Sequence, residues 1–317
     1  MEANMLSRVA DGIYWLNRYM ERTDGMLQTL NTLYIQSFDQ EINDYQGYKP
    51  LLEYYTDMNA EQISEVQYDT AFVLKYIICD VENTNSVKNL ITKARENARG
   101  SQDKITKELW EHINSMYLFI TNAKLPQKLE TAEANDVLSK LNKDFLLYNG
   151  IFHVTMPRGL GWYFSSIGKN LERCLQTISF TQAYYTPIGY NLDGEEDLLY
   201  WRKLLLSLSG YELYMKSYSN IPHNRKVSQQ MIFNQDFAHS VIYTLGLIEI
   251  NINNLFKNNQ LSEARTMRNH IGRIKSTVEF TDYQHLTNDQ LQYILQDTKI
   301  QLIEFSSQFS KLFFSYT

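Results

Sequence analysis

The feature that most limits what this chain can fold into is the stretch Met5–Tyr34, MLSRVADGIYWLNRYMERTDGMLQTLNTLY. Leu6, Ile13, Met20, Leu27 and Tyr34 recur at a strict seven-residue spacing, and Val9, Leu16, Thr23 and Leu30 form a second row beside them. Two such rows lay one apolar seam along a long helix. Arg18, Glu21 and Arg22 lie away from the seam, flanked by Tyr14, Trp15 and Tyr19. Aromatics on several sides imply a helix covered on more than one face, whose charges then need partners other than water. The pattern returns in WYFSSIGKNLERCLQTISF, with rows Phe164, Leu171, Ile178 and Ile167, Cys174. There Lys169, Glu172 and Arg173 take the places of Arg18, Glu21 and Arg22 at a constant offset (172 − 21 = 151).

Length admits one large domain or two ordinary ones, since 317 residues can bury a sizeable core either way. A composition 44% hydrophobic and 21% charged reads as globular and soluble. The net charge of −6 argues against a general nucleic-acid or anionic-membrane surface. Cys79 and Cys174 have no metal-ligand spacing and read as two reduced thiols of a cytoplasmic protein. The opening MEANMLSRVADGIYW carries early acids and no unbroken apolar core, so it does not read as a signal peptide. AFVLKYIIC, the strongest apolar run elsewhere, is interrupted by Lys75 and too short to span a bilayer.

Between the five prolines the apolar spacing is helical almost everywhere, and sustained two-residue alternation is missing. The first helix is expected to end near Phe38, a short one to start at Pro50, and another to cover about Asp69–Cys79. Asn85–Arg99 reads as a helix with Val87, Leu90, Ile91, Ala94 and Ala98 inward, stopped by Gly100, with Ser101 capping the next. That next helix runs to about Asn122, and a further one covers about Ala132–Asn149. IFHVTMPRGLG is the clearest break, with a short strand expected at Ile151–Thr155. The second ER helix covers about Leu160–Tyr185, and Asp197–Ser217 reads as one helix. Asp236 is expected to cap a helix reaching Asn254, with final helices near Ser262–Phe280 and Asn288–Phe314. The fold class expected is all-α: a multi-helix bundle, one domain over 1–317, with a partial internal duplication of a central ER-motif helix and pseudo-repeat halves 1–150 and 151–317.

The chemistry-bearing residues lie on these helices. Arg18 stands three residues from Glu21 and four from Arg22, so all three share one side or converge on one ligand. An exposed ion-pair set of this kind would contribute only ~0.3–0.5 kcal/mol per pair. Recurrence in the same relation to a seam argues for more than that: a duplicated structural network, or a polar pocket with carboxylates as acid, base or ligand and guanidinium groups as anion binders. ARENARG adds Arg95 and Arg99 on one face, able to neutralise Glu21 or Glu172 if that face meets an ER helix. No Glu-x-x-His is present, and Asp236-x-x-His239 and Asp282-x-x-His285 read better as a helix cap and a loop, so no metal site is expected. Cys174 falls on the seam and reads as a core thiol. RGLG at Arg158–Gly161 lacks the lysine of a phosphate loop.

Taken together these stretches resemble the alpha-E family of helical proteins. The resemblance is carried by MLSRVADGIYWLNRYMER, by NSVKNLITKARENARG with ITKELWEHIN, by TMPRGLGWYFSSIGKNLER and, more loosely, by YELYMKSY. It implies an all-α domain and a place in bacterial operons beside circularly permuted ATP-grasp proteins and transglutaminase-like peptidases, with a role in making or modifying a peptide. Carried over by position, the family motif falls on Arg18, Glu21 and Arg22, on Glu172 and Arg173, and on Arg95, Glu96, Asn97 and Arg99. Asn17 stands where a glycine is usual, Lys169 where an arginine is, and Ala238-His239-Ser240 where Pro-Arg-Ser is expected. The function expected is a cytoplasmic accessory protein that binds an ATP-grasp ligase, a transglutaminase-like protein or a peptide. The alternatives are an enzyme using Glu21 or Glu172 in amide-bond chemistry, and a purely structural interaction scaffold. The sequence does not identify a cofactor.

Overall fold

Side-chain caps start six of the helices. Asn59 closes a reciprocal capping box with Gln62, and Asp69, Ser86, Thr106, Asp197 and Ser240 each accept the backbone N–H three residues on. Each such bond satisfies a donor that the helix start leaves open, contributing about 1 kcal/mol. The computed structural model describes residues 7–38, 47–218, 222–257 and 262–314, and among these every regular element is helical, with no strand.

The chain divides into two compact units. One comprises Trp15–Pro157. It holds α1 (Ser7–Gln36) from Trp15 onward, α2 (Lys49–Tyr55), α3 (Ala60–Val66), α4 (Thr70–Ile78), α5 (Val87–Gly100), α6 (Lys107–Ile120), α7 (Leu125–Lys128) and α8 (Ala134–Thr155). Here α5 packs on α6 and α6 on α8. The other unit comprises the described part of Met1–Tyr14 together with Arg158–Thr317. It holds the start of α1, then α9 (Leu160–Tyr185), α10 (Leu198–Ser207), α11 (Tyr211–Ser217), α12 (His223–Ser228), α13 (Val241–Leu255), α14 (Ser262–Glu279) and α15 (Asn288–Phe314). Its long helices close a cycle, with α9 on α13, α13 on α14, α14 on α15 and α15 back on α9. Tyr14, Phe164, Phe309 and Phe314 meet in its core, with ring centroids 5.3–6.1 Å apart.

Both seams are buried as the spacing predicts. Ile13, Met20, Leu27, Tyr34, Val9, Leu16, Thr23 and Leu30 are buried on α1, as are Phe164, Ile167, Leu171, Cys174 and Ile178 on α9. Leu6 lies outside the described residues. Full burial of each large aliphatic side chain is worth about 1.5–3 kcal/mol, so these rows alone tie the two helices into their cores.

Four expectations need correction. No strand forms at Ile151–Thr155, because α8 runs on through it. The helix ends instead at Met156, whose ψ of 127° is extended, as suits the residue before Pro157. Ser101 closes α5 rather than opening α6, and Thr106 caps α6. Ser240, not Asp236, caps α13. Asp197–Ser217 is two helices, parted at Ser209 (φ 56°) and Gly210. A Cβ at Gly210 would fall 2.6 Å from the Gln230 amide nitrogen and 2.9 Å from the Phe237 ring. Only glycine admits that approach, and Gln230 uses it to donate to the Gly210 carbonyl at 2.7 Å. Gln230 belongs to a π-helical turn, Gln229–Phe233, that no spacing signal foretells.

Candidate functional site

In the Trp15–Pro157 unit, α1 carries Arg18, Glu21 and Arg22. Arg18 is 7% exposed and Glu21 only 4%, which overturns a solvated ion-pair face. The Arg18 guanidinium lies 5.0 Å from the Trp15 ring centroid, a stacking that suits a weakly hydrated planar cation. Arg22 is half-buried and donates to Asn85 Oδ1 at 3.1 Å. Asn85 is the residue just before Ser86, the cap of α5. Its loop is itself braced, with the Asn85 amide on Asn83 Oδ1 at 3.0 Å and the Asn89 side chain on the Val81 and Asn83 carbonyls.

Next to Glu21 on the same face, one turn earlier, Asn17 accepts a hydrogen bond from the Tyr148 hydroxyl at 3.0 Å. Burial pushes the Tyr148 phenol well above the usual tyrosine range, and the Glu21 carboxylate nearby pushes it the same way. Asn149, the next residue of α8, donates to Asp24 Oδ2 at 3.1 Å. These bonds give the asparagine at 17 a purpose. Position 168, its counterpart at the 151-residue offset, is a buried glycine.

Arg95, Glu96, Asn97 and Arg99 lie on α5. Arg95 turns onto α6: its Nε donates to Asn114 Oδ1 at 2.8 Å, and its guanidinium lies 4.4 Å from the Tyr117 ring and 5.7 Å from that of Trp110. Its carboxylate partner is Glu96 at 3.2 Å, and Glu96 also holds Arg99 at 2.7 Å. Their acidic partner is thus Glu96, not Glu21. Asn97 is half-buried on the same helix.

In the other unit, α9 carries Lys169, Glu172 and Arg173. Glu172 is wholly buried, while Lys169 and Arg173 are half-buried. Arg173 Nη1 donates to the Ala238 carbonyl at 3.5 Å, and Thr177, one turn on, donates to the His239 carbonyl at 2.7 Å. The loop so held leads straight into Ser240, which caps α13 through the Tyr243 amide and donates to the Asn234 carbonyl at 2.6 Å. The same construction therefore stands in both units. Each ER motif has a buried glutamate followed by an arginine that grips the segment just ahead of a serine-capped helix. Sequence reasoning does not single out Asn85, and it marks Ala238-His239-Ser240 only as a departure from the family motif, not as a backbone acceptor for Arg173. The asparagine-rich run Asn83-Thr84-Asn85 was the available signal for the first, and the second is a backbone contact that no side-chain pattern encodes.

The model of the Alpha-E family, described as a predicted alpha-helical domain with a conserved ER motif, matches residues 5–314. The chain belongs to the Alpha-E family. No curated protein and no solved structure matches it. In this Alpha-E chain the ER glutamates are interior groups, and the charge that stays within reach of solvent is basic: Arg22, Lys169 and Arg173. Cys174 is the core thiol expected, fully buried, bonded to Thr244 and pushed up to about 12 by burial. Cys79 is pushed up to about 11, also by burial. Asp282 pairs with His285 at 2.8 Å on the surface, and no group of three or more potential metal-ligating side chains occurs among the described residues. Nor is any helix among them long and apolar enough to cross a membrane. A separate cavity of about 270 Å³ opens where α6, α7 and α8 meet. The cations lining it are already matched, Lys128 with Glu133 at 2.6 Å and Lys140 with Asp144 at 2.9 Å.

Proposed function

We propose that this chain is a cytoplasmic binding component of an ATP-grasp-linked system for peptide synthesis or modification. In each unit the ER motif sets the frame of a basic recognition patch of its own. The observation that supports this most is the graded burial within both motifs: an interior glutamate, and beside it a cation that keeps part of its surface (Arg22, Lys169 and Arg173). A buried carboxylate fixes neighbouring cations in place, and half-exposed cations so fixed suit the carboxylates or phosphates of a partner. The partner class on this reading, a circularly permuted ATP-grasp protein or its peptide, is the one that the family resemblance of the sequence implies. On this reading Glu21 and Glu172 each position the patch of their own unit and do not act on substrate.

The test measures association with the circularly permuted ATP-grasp protein by titration calorimetry, beside thermal melts of each variant. Lys169→Ala is expected to weaken association at least tenfold with the melt unchanged, while Glu172→Gln lowers the melt. Wild-type protein that fails to associate would overturn the proposal. So would a Glu172→Gln variant that melts normally yet abolishes amide-bond turnover, which would restore the enzymatic reading.

A further inference from the structure

The outward face of α8 has a feature its own fold does not explain. Gly150 sits inside this 22-residue helix, where glycine is among the poorest helix formers. A Cβ built there meets nothing within 4 Å. No close approach inside the chain therefore calls for glycine. Around it Leu146 is 71% exposed, Leu147 53% and Val154 81%. Three large apolar side chains bared around a glycine that nothing touches form a face made for a second helix at short range.

We infer that this face binds a second copy of the chain, α8 crossing α8 antiparallel about a twofold axis at Gly150. The geometry is self-complementary. In an antiparallel pair centred on position 150, Leu146 falls opposite Val154 of the other copy, and Gly150 opposite Gly150. Lys143 falls opposite position 157, at the end of α8 where the start of α6 lies alongside, tied by Thr106 Oγ1 to Thr155 Oγ1 at 2.8 Å. Exposed on that first turn of α6 is Glu108. Neither Lys143 nor Glu108 has an ionic partner among the described residues. The twofold brings each lysine to the other copy's glutamate, twice over. Such isologous pairing is the commonest route to a homodimer. A patch of three apolar residues is small for an obligate dimer, so the association is a reversible one with a Kd on the order of micromolar.

The inference stands apart from the ER motifs and is tested on the full chain by sedimentation equilibrium over a concentration series. Wild type is expected to shift from monomer to dimer. Gly150→Leu, which has open space in the monomer, and Leu147→Glu should each weaken the dimer at least tenfold while the circular dichroism melt is retained. Lys143→Glu should weaken it as well, and adding Glu108→Lys to the same chain should restore it, because the double swap recreates both pairs. A cysteine introduced by Gly150→Cys should self-couple across the axis under mild oxidation. A chain monomeric at every concentration overturns the inference. So does a dimer that Gly150→Leu and Leu147→Glu leave intact, which would place the interface elsewhere.

Discussion

Replacing Tyr148 with phenylalanine removes one oxygen from the interior and leaves the ring in place. Tyr148 is 3% exposed and stacks on Phe152 with centroids 6.4 Å apart, so the ring packing survives and no cavity beyond the hydroxyl opens. What is lost is the 3.0 Å bond to Asn17 Oδ1. A buried hydrogen bond contributes about 1 ± 0.5 kcal/mol net, and an acceptor left short of its donor in the interior adds desolvation to that. Asn17 is itself 2% exposed, so water cannot step in without rearrangement. Together these terms give a loss of about 1–2 kcal/mol for Tyr148→Phe. Because tyrosine and asparagine lie on α8 and α1, 131 positions apart, the bond is also a tertiary tie. Denaturant unfolding of wild type, Tyr148→Phe, Asn17→Ala and the double variant completes a thermodynamic cycle. The coupling is expected near 1 kcal/mol, since each single change removes the same bond. A coupling within about 0.3 kcal/mol of zero would mean the pair does not act as a bond, and the account of Asn17 would fall with it.

Two further outcomes follow from the same geometry. Ser240→Ala should destabilise by about 1–2 kcal/mol in urea, since it removes the α13 cap and the bond to the Asn234 carbonyl, whereas Asp236→Ala should change stability by less than about 0.5 kcal/mol. Alkali should unfold the protein through its buried phenols: Tyr148 and Tyr185 are fully interior and held well above the ordinary value of 10.0, chiefly by burial. With folded pKa values raised, their contribution is intact below that value and is lost as pH rises above it, by up to about 1.4 kcal/mol per pH unit for each group. Unfolding free energies measured by denaturant across that range, beside the phenolate absorbance, check the slope, and a flat profile would contradict it.

Much of the fold was legible because its signals are local. A seven-residue apolar row fixes which side of α1 or α9 is inside, whatever it packs against, and Asp69, Ser86 and Asp197 announce their helices through bonds three residues long. Pro157 likewise stops α8, though the sequence alone put the end one to two turns too early. Asn149 and Gly150 look like a terminus, and only tertiary contacts beyond them, the buried Phe152 and the bond from Thr155 to Thr106, show what the helix gains by carrying on. The division of Asp197–Ser217 was hidden for the same reason. Gly210 is demanded by Gln230 and Phe237, residues that the local pattern cannot place beside it. In the candidate site, the charged residues were found by recurrence, but their acceptors were not. Arg22 reaches a side chain 63 positions away and Arg173 a carbonyl 65 away, and neither separation leaves a period to read.

The two ER motifs differ at the place where their surroundings differ, and the difference has a physical reading. Position 18 is arginine and its counterpart at the 151-residue offset, 169, is lysine. At the first motif the residue three before is Trp15, and the guanidinium lies 5.0 Å from its ring. At the second that residue is Ser166, which offers no ring. A planar guanidinium gains from stacking and is shed by water more readily than an ammonium, so arginine suits the first site, 7% exposed. Without the ring much of that advantage goes, and a half-buried lysine that keeps one side toward water serves as the cation. Positions 22 and 173 show the opposite pressure. Both remain arginine and both reach an acceptor ahead of a capped helix. The first cation of the motif therefore answers to its own helix and the last to a neighbouring loop. The glutamate between them, buried at 4% and at 0%, is the element common to both.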